Sequence, residues 1–147
     1  MYMHHDSVKS PCVCTALRKA ARAVSRVYDE ALADCGMSTA QFAILRHVGR
    51  GEPLALSRLA EQLAMDRTSL YRALAPLEAK GWVGIAPGPG KSRLASLTAA
   101  GRAAMEGAED SWQRVQTQIT GTMGEAQRAA LESALRTITS LARQESH

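Results

Sequence analysis

The stretch LSRLAEQLAMDRTSLYRALAPLEAKGWV, residues 56–83, decides the fold. Leu56, Leu59, Ala60 and Leu63 fall on one face of a short helix over residues 56–64. Asp66 follows at once as an N-cap, with Met65 and Leu70 spaced as its hydrophobic staple. A second helix therefore begins only a few residues after the first, which is the spacing of a helix-turn-helix. In that second helix Leu70, Leu74 and Leu77 recur at i, i+4 and i+7 and define a core face. Arg67, Thr68, Tyr71 and Arg72 share the opposite side. Pro76 lacks an N–H and its ring crowds the preceding turn, so the helix is expected to kink or end near Ala75.

On the C-terminal side Gly81 closes this region, and Trp82 to Ala86 reads as a strand. PGPGKS, residues 87–92, is turn chemistry, and Leu94 to Leu97 is a returning strand. A β-hairpin directly after a helix-turn-helix is a wing. Thr98 caps a long helix with the stripe Met105, Ala108, Trp112, Val115 and Ile119, expected to break at Gly121 and Gly124. Thr122 and Glu125 then read as a capping box for a last helix carrying Leu131, Leu135, Ile138 and Leu141.

On the N-terminal side Met37, Ser38, Gln41 and Phe42 supply the staple and capping box of a helix expected to stop near Val48, at Gly49 and Gly51. Pro53 and Leu54 form an extended entry to residue 56. Before Gly36, residues 12–34 carry Leu17, Ala20, Ala21, Val24, Tyr28, Ala31 and Leu32 on one stripe, with Arg18, Arg22 and Arg26 on another. The predicted class is mainly α: a winged helix-turn-helix with a two-stranded β-wing and long N- and C-terminal helices. The chain divides as an arm and dimerisation helix over 1–36, a lobe over 37–98 and dimerisation helices over 99–147, all one continuous domain.

Length and composition fit this reading. The 147 residues, 46% of them apolar, suffice for one core but leave two unrelated domains cramped. No stretch is long and apolar enough to span a bilayer, and MYMHHDSVKSP lacks the apolar centre of a signal peptide, so a cytoplasmic protein is expected. The net charge of +4 is unevenly placed. Residues 57–93 hold six Lys and Arg against three Asp and Glu, whereas residues 94–147 hold five against six. A polyanion is met in the middle of the chain, unless those charges are merely a solvated face.

The residue types in that region suit a duplex. A helix fits the major groove, and short polar or forked cationic side chains near its start reach base edges. Arg67 and Arg72 suit guanine edges or phosphate, Thr68 and Ser69 suit phosphate or a thymine methyl, and Tyr71 packs on the backbone. Lys91, Ser92 and Arg93 at the wing suit the minor groove or its phosphates. Ser57 and Arg58 stand at a helix start, where phosphate is favoured. The bland alternative is an exposed helix side and an ordinary charged hairpin.

The joint spacing of MSTAQFAILRHV (37–48), LSRLAEQLAMDRTSLYRALAPLEAKGWV (56–83) and LASLTAAGR (94–102) resembles the MarR family (multiple antibiotic resistance regulators), over nearly the whole chain. The resemblance implies a homodimer joined through the terminal helices, with two lobes reading a pseudo-palindromic double-stranded DNA operator. It also implies repression relieved by a small ligand, often an aromatic acid, or by thiol oxidation. One position departs: where the family wing carries Asp-x-Arg, this chain has Pro89-Gly90-Lys91. Lys91 keeps the cation but loses the planar fork and its orienting carboxylate. Independently of the resemblance, the apolar stripes of the terminal helices exceed what a small lobe needs, so they either dimerise or fold back on a monomeric core. Two lobes about one DNA turn apart, roughly 34–36 Å, would meet successive major grooves.

Tyr28, Phe42, Leu45 and Trp112 are candidates to line an effector pocket, although residues of these types are more often plain core. Cys12, Cys14 and Cys35 form no disulfide framework. They are either inert, redox-reactive through a helix N-terminus and nearby cations, or, with His4 and His5, metal ligands. No metal site or cofactor is assigned. A nucleophile–base set and a phosphate-binding glycine loop are both missing from the sequence, which argues against an enzyme. The remaining alternative is a winged-helix protein-interaction module without DNA readout, favoured by the altered wing and Pro76.

Overall fold

The computed structural model describes residues 10–145; the expectations for His4 and His5 lie outside them. Helix α1 spans Val13–Leu32, and a 3-10 turn over Ala33–Cys35 ends on Gly36 in the left-handed region. Helix α2, Thr39–Gly51, opens on the expected capping box: the Ser38 hydroxyl accepts from Gln41 N–H, and the Gln41 side chain accepts from Ser38 N–H. A two-residue strand β1 (Leu54–Ala55) leads into α3 (Leu56–Gln62) and α4 (Arg67–Ala79). Strands β2 (Val83–Pro87) and β3 (Arg93–Leu97) form the hairpin, and α5 (Ala99–Met123) and α6 (Glu125–Glu145) complete the chain.

Both helices of the helix-turn-helix stop in the same way. After α3, Met65 N–H donates to the Ala60 carbonyl and Ala64 N–H to that of Glu61. After α4, Trp82 N–H donates to Leu77 and Gly81 N–H to Glu78. These are paired 6→1 and 5→2 bonds around a left-handed residue, so the last carbonyls of each helix are satisfied in a turn of minimum length. Gly81 takes that conformation freely, whereas Ala64 at φ 52° does so at a cost of about 1 kcal/mol.

Leu59, Leu70, Leu74 and Leu77 bury their side chains against Phe42, Leu45 and Val48 of α2 and Val83 and Ala95 of the sheet. Leu32 of α1 and Ala108 of α5 join the same core, so the lobe and the long helices share one apolar interior. The small sheet has the order β1-β3-β2, all antiparallel, with Val83 facing Leu97 and Pro87 facing Arg93 across the hairpin. Among the described residues no helix is long and apolar enough to cross a membrane.

Several expectations are corrected. Pro76 does not break α4, which continues to Ala79. Its ring is on the exposed side and only one turn follows, so the cost is a single missing bond near the end. α2 runs past Val48 and through Gly49 to end on Gly51; Gly49 serves as close packing, since a Cβ there would come within 3.1 Å of Leu97 Cδ1. Gly121 is helical, and Thr122 is no cap, because its hydroxyl donates to the Gln118 carbonyl inside α5; Gly124 alone separates α5 from α6. The extended entry at Leu54 pairs with Ala95, which adds a third strand beside the two-stranded wing.

The join between hairpin and α5 is the tightest in the fold. A Cβ on Gly101 would stand 1.9 Å from the Trp82 carbonyl oxygen. Gly101→Ala is therefore expected to destabilise the protein by about 1–3 kcal/mol or more. Gly107→Ala on the same helix, where the position is open, should gain about 0.5–1 kcal/mol. Urea midpoints of the two variants check this, and equal effects would contradict the packing described.

Candidate nucleic-acid interface

Asp66 starts the outward-facing surface. Its carboxylate accepts from Ser69 N–H at 2.8 Å and from the Ser69 hydroxyl at 2.9 Å. The first turn of α4 is thereby held while its first residue, Arg67, projects freely. With Leu70, Leu74 and Leu77 buried, geometry leaves Arg67, Thr68, Ser69, Tyr71 and Arg72 exposed. The Ser69 hydroxyl proton is committed to Asp66, so toward a ligand Ser69 is left as an acceptor.

The wing tip is a tight turn over Pro89–Ser92. Ser92 N–H and its hydroxyl both donate to the Pro89 carbonyl, and Gly88 N–H donates to Ser92. Gly90 takes φ 64° at the first central position and Lys91 occupies the second, a turn whose twist matches a hairpin. The chain thus replaces an acidic side chain at Pro89 with a stiff turn that presents Lys91 outward.

Three elements converge. Ser57 of α3, Arg67 and Tyr71 of α4, and Lys91, Ser92 and Arg93 of the hairpin line one depression of about 120 Å³, floored by Leu56, Ala60 and Leu70. Arg58, Thr68, Ser69 and Arg72 lie outside it on the surrounding exposed surface. Among the described residues none of Arg58, Arg67, Arg72, Lys91 and Arg93 enters a salt bridge; those found belong to Arg102, Arg128 and Arg143. Arg67, Lys91 and Arg93, gathered at one depression without carboxylate partners, form a surface suited to neutralisation by a polyanion.

The candidate pocket residues are only partly brought together. Phe42 and Trp112 meet with ring centroids 6.0 Å apart and line a pocket of about 110 Å³ with Thr39, His47 and Arg50. Leu45 is in the core instead, and Tyr28 donates its hydroxyl proton to Gln116 across α1 and α5. Arg46 is the residue the sequence reading missed: its guanidinium lies 4.0 Å over the Trp112 ring and 5.6 Å from that of Phe42. Its place four residues after Phe42 on α2 was the available signal.

Cys12 and Cys14 are exposed at the start of α1, and Cys35 is half-buried with Sγ 3.8 Å from the Gly107 carbonyl. A hydrogen bond from the Thr15 side chain, aided by the Thr15 backbone, draws the Cys12 thiol pKa below its ordinary value. Among the described residues no group of three His, Cys, Asp or Glu is placed to hold a metal.

Similarity to known proteins follows the same outline. The profile described as MarR family matches residues 36–93. The M. tuberculosis transcriptional regulator MosR in complex with DNA is 30% identical, over 91% of this chain and 98% of that one, with a TM-score of 0.83. A structure of MosR described without DNA gives 32% identity, coverage of 90% and 98%, and a TM-score of 0.77. A mutant E. coli MarR complexed with operator DNA is 26% identical over 86% and 92% of the two chains, with a TM-score of 0.77. No curated protein matches.

The Asp66 cap has a consequence for acid stability. The Ser69 N–H, then the Ser69 hydroxyl, hold its carboxyl below the usual aspartate range. A depressed pKa stabilises the fold above the unfolded value, about 3.9, and that contribution is lost as pH falls through the folded midpoint. Asp66→Asn, an equally good cap at neutral pH, is expected to shrink the loss of stability below about pH 4. The loss should not vanish, since Arg128 draws Glu125 down as well. Urea midpoints measured down the acid limb check this; an unchanged limb would contradict it.

Proposed function

Because the chain belongs to the MarR family of DNA-binding transcription regulators, we propose that it acts as a homodimer on a pseudo-palindromic duplex, as a repressor. In this reading the start of α4 enters the major groove. Arg67 and Arg72 take guanine edges or phosphates, Thr68 and Tyr71 contact the backbone, and Ser69, its proton held by Asp66, meets a thymine methyl or a base amino group. Ser57 and Arg58 meet phosphate at the start of α3, and Lys91, Ser92 and Arg93 follow the minor groove. The observation that carries this reading is the convergence of α3, α4 and the hairpin on one cationic surface without internal carboxylate partners.

The dimer reading rests on apolar side chains that the single chain leaves uncovered. Val13, Val24 and Val27 on α1 and Leu131, Leu135, Ile138 and Leu141 on α6 are 39–60% exposed. A second copy of the same helices is the natural cover, since a self-complementary patch closes under two-fold symmetry. The protein-interaction alternative loses one of its two supports, because α4 passes through Pro76 intact.

Two release routes fit the geometry. A single-ring aromatic acid would bind against Trp112, beside Phe42, with its carboxylate on Arg46, Arg50 or His47. The pocket, at about 110 Å³, is well below the roughly 300–1,000 Å³ of ordinary ligand sites, so Arg46 must swing off the Trp112 ring to admit it. Alternatively, oxidation of the exposed, activated Cys12 at the start of α1 would disturb the dimer helices.

Fluorescence anisotropy with a duplex selected by the protein from a random pool tests the reading. Affinity is expected to fall steeply with salt as phosphate counterions are released. Arg67→Ala with Arg72→Ala should cost about 2–6 kcal/mol together, with sedimentation showing a dimer throughout. Weak, salt-insensitive binding, or binding untouched by the double change, would contradict it. Repeating the assay with peroxide, for wild type and Cys12→Ser, decides the thiol route.

A further inference from the structure

We propose that Glu52 is a positioning residue for duplex binding, setting the angle of the wing from its root. The inference rests on the DNA-binding reading and adds a residue to it that lies outside the contact surface.

Strand β1 is only two residues long, pairing Leu54 with Ala95 and Ala55 with Leu94. Continued backwards, that register sets Pro53 beside Ser96 and Glu52 beside Leu97. Pro53 has no N–H to offer, and no main-chain bond follows. The Glu52 side chain takes over: Oε1 accepts from Leu97 N–H at 2.7 Å, while Oε2 accepts from Arg102 Nη2 at 2.6 Å. One carboxylate therefore joins the end of α2, the last residue of β3 and the first turn of α5.

The other side of the hairpin root is fixed differently. Thr98 N–H donates to the Trp82 carbonyl, the Thr98 hydroxyl donates to the Gly81 carbonyl and accepts from Gly101 N–H, and α5 lies on the Trp82 backbone through Gly101. That side pivots little. Alongside the Leu54–Ala95 pair and the packing of Leu97 on Gly49, Glu52 holds the end of β3 and its tilt toward α2.

The hairpin multiplies any error at its root. From Leu97 to Lys91 is six residues, about 20 Å of extended chain. A tilt of about ten degrees then moves the tip by roughly 3–4 Å, beyond the reach of a phosphate contact. The pair is half-exposed, with side-chain exposures of 44% for Arg102 and 26% for Glu52, so its loss should lower overall stability little. Its effect should appear in where Lys91 and Arg93 sit.

The test uses the full-length protein and the duplex that the wild type selects from a random pool, titrated at several salt concentrations, with circular dichroism melts on the same samples. Glu52→Ala is expected to weaken binding roughly tenfold at moderate salt and to lower the slope of log affinity against log salt by up to about 3–4, the share of the four wing cations of a dimer. Glu52→Gln keeps an oxygen for Leu97 N–H and should recover most of the slope. In a Lys91→Ala, Arg93→Ala background, Glu52→Ala should change nothing further, because no wing contact is left to misplace. An unchanged slope, or an equal loss of affinity in that background, would overturn the proposal and leave Glu52 a merely structural residue. Should Glu52→Ala not fold, Arg102→Ala is expected to lower the slope in the same direction by less, and an unchanged slope there overturns it equally. If the wild type selects no duplex, the regulator reading fails first and this inference with it; selection with unaltered Glu52 variants sinks the inference alone.

Discussion

The outward side of α4 follows from three leucines. Leu70, Leu74 and Leu77 are almost fully withdrawn from solvent, and burying each is worth about 1.5–3 kcal/mol, more than any exposed polar contact nearby can offset. A helix has only one rotation about its axis that buries i, i+4 and i+7 together. Once that rotation is fixed, Arg67, Thr68 and Arg72 point outward by geometry. Apart from Asp66 and Ser69, which cap the helix, the exposed side is free to serve a partner.

The short stops on either side of that helix keep it close to its neighbours. Ala64 and Gly81 end α3 and α4 within one residue, which leaves no slack for α4 to move relative to α3 or the hairpin. Longer bonds tie this unit to the helices bearing the exposed apolar stripes. Asp29 of α1 accepts from Thr39 N–H at the start of α2, Arg143 of α6 donates to the Glu61 carbonyl at the end of α3, and Lys80 donates to the Gly36 carbonyl beside the end of α1. These bonds link α1 and α6 to the start of α2, to the turn between α3 and α4, and to the C-terminal end of α4.

Local chemistry was the legible part of the sequence. Ser38 with Gln41, Asp66, and Thr98 all cap the helices their spacing assigns to them, because a cap is settled within four residues. The leucine stripe and the wing were legible for the same reason. What misled was punctuation whose meaning depends on distant neighbours. Gly49 resembles a stop but is small because Leu97 approaches it, and Pro76 resembles a break but sits on an exposed side near the helix end. Thr122 and Glu125 match a capping box, yet α5 runs through Thr122. At the candidate site, Arg67, Tyr71, Lys91 and their neighbours could be named from residue type. Arg46 left only its i+4 spacing to Phe42, and Glu52 on Leu97 left no trace, because contacts across 66 and 45 positions have no period.

The central claim is that the outward side of α4 is offered twice, by two copies, to one duplex. Hydroxyl-radical footprinting of the wild-type protein on its selected duplex tests it most directly. The account expects two protected patches related by a dyad, their centres about 10–10.5 base pairs apart on one face of the helix. A single patch, or two without dyad symmetry, would contradict it.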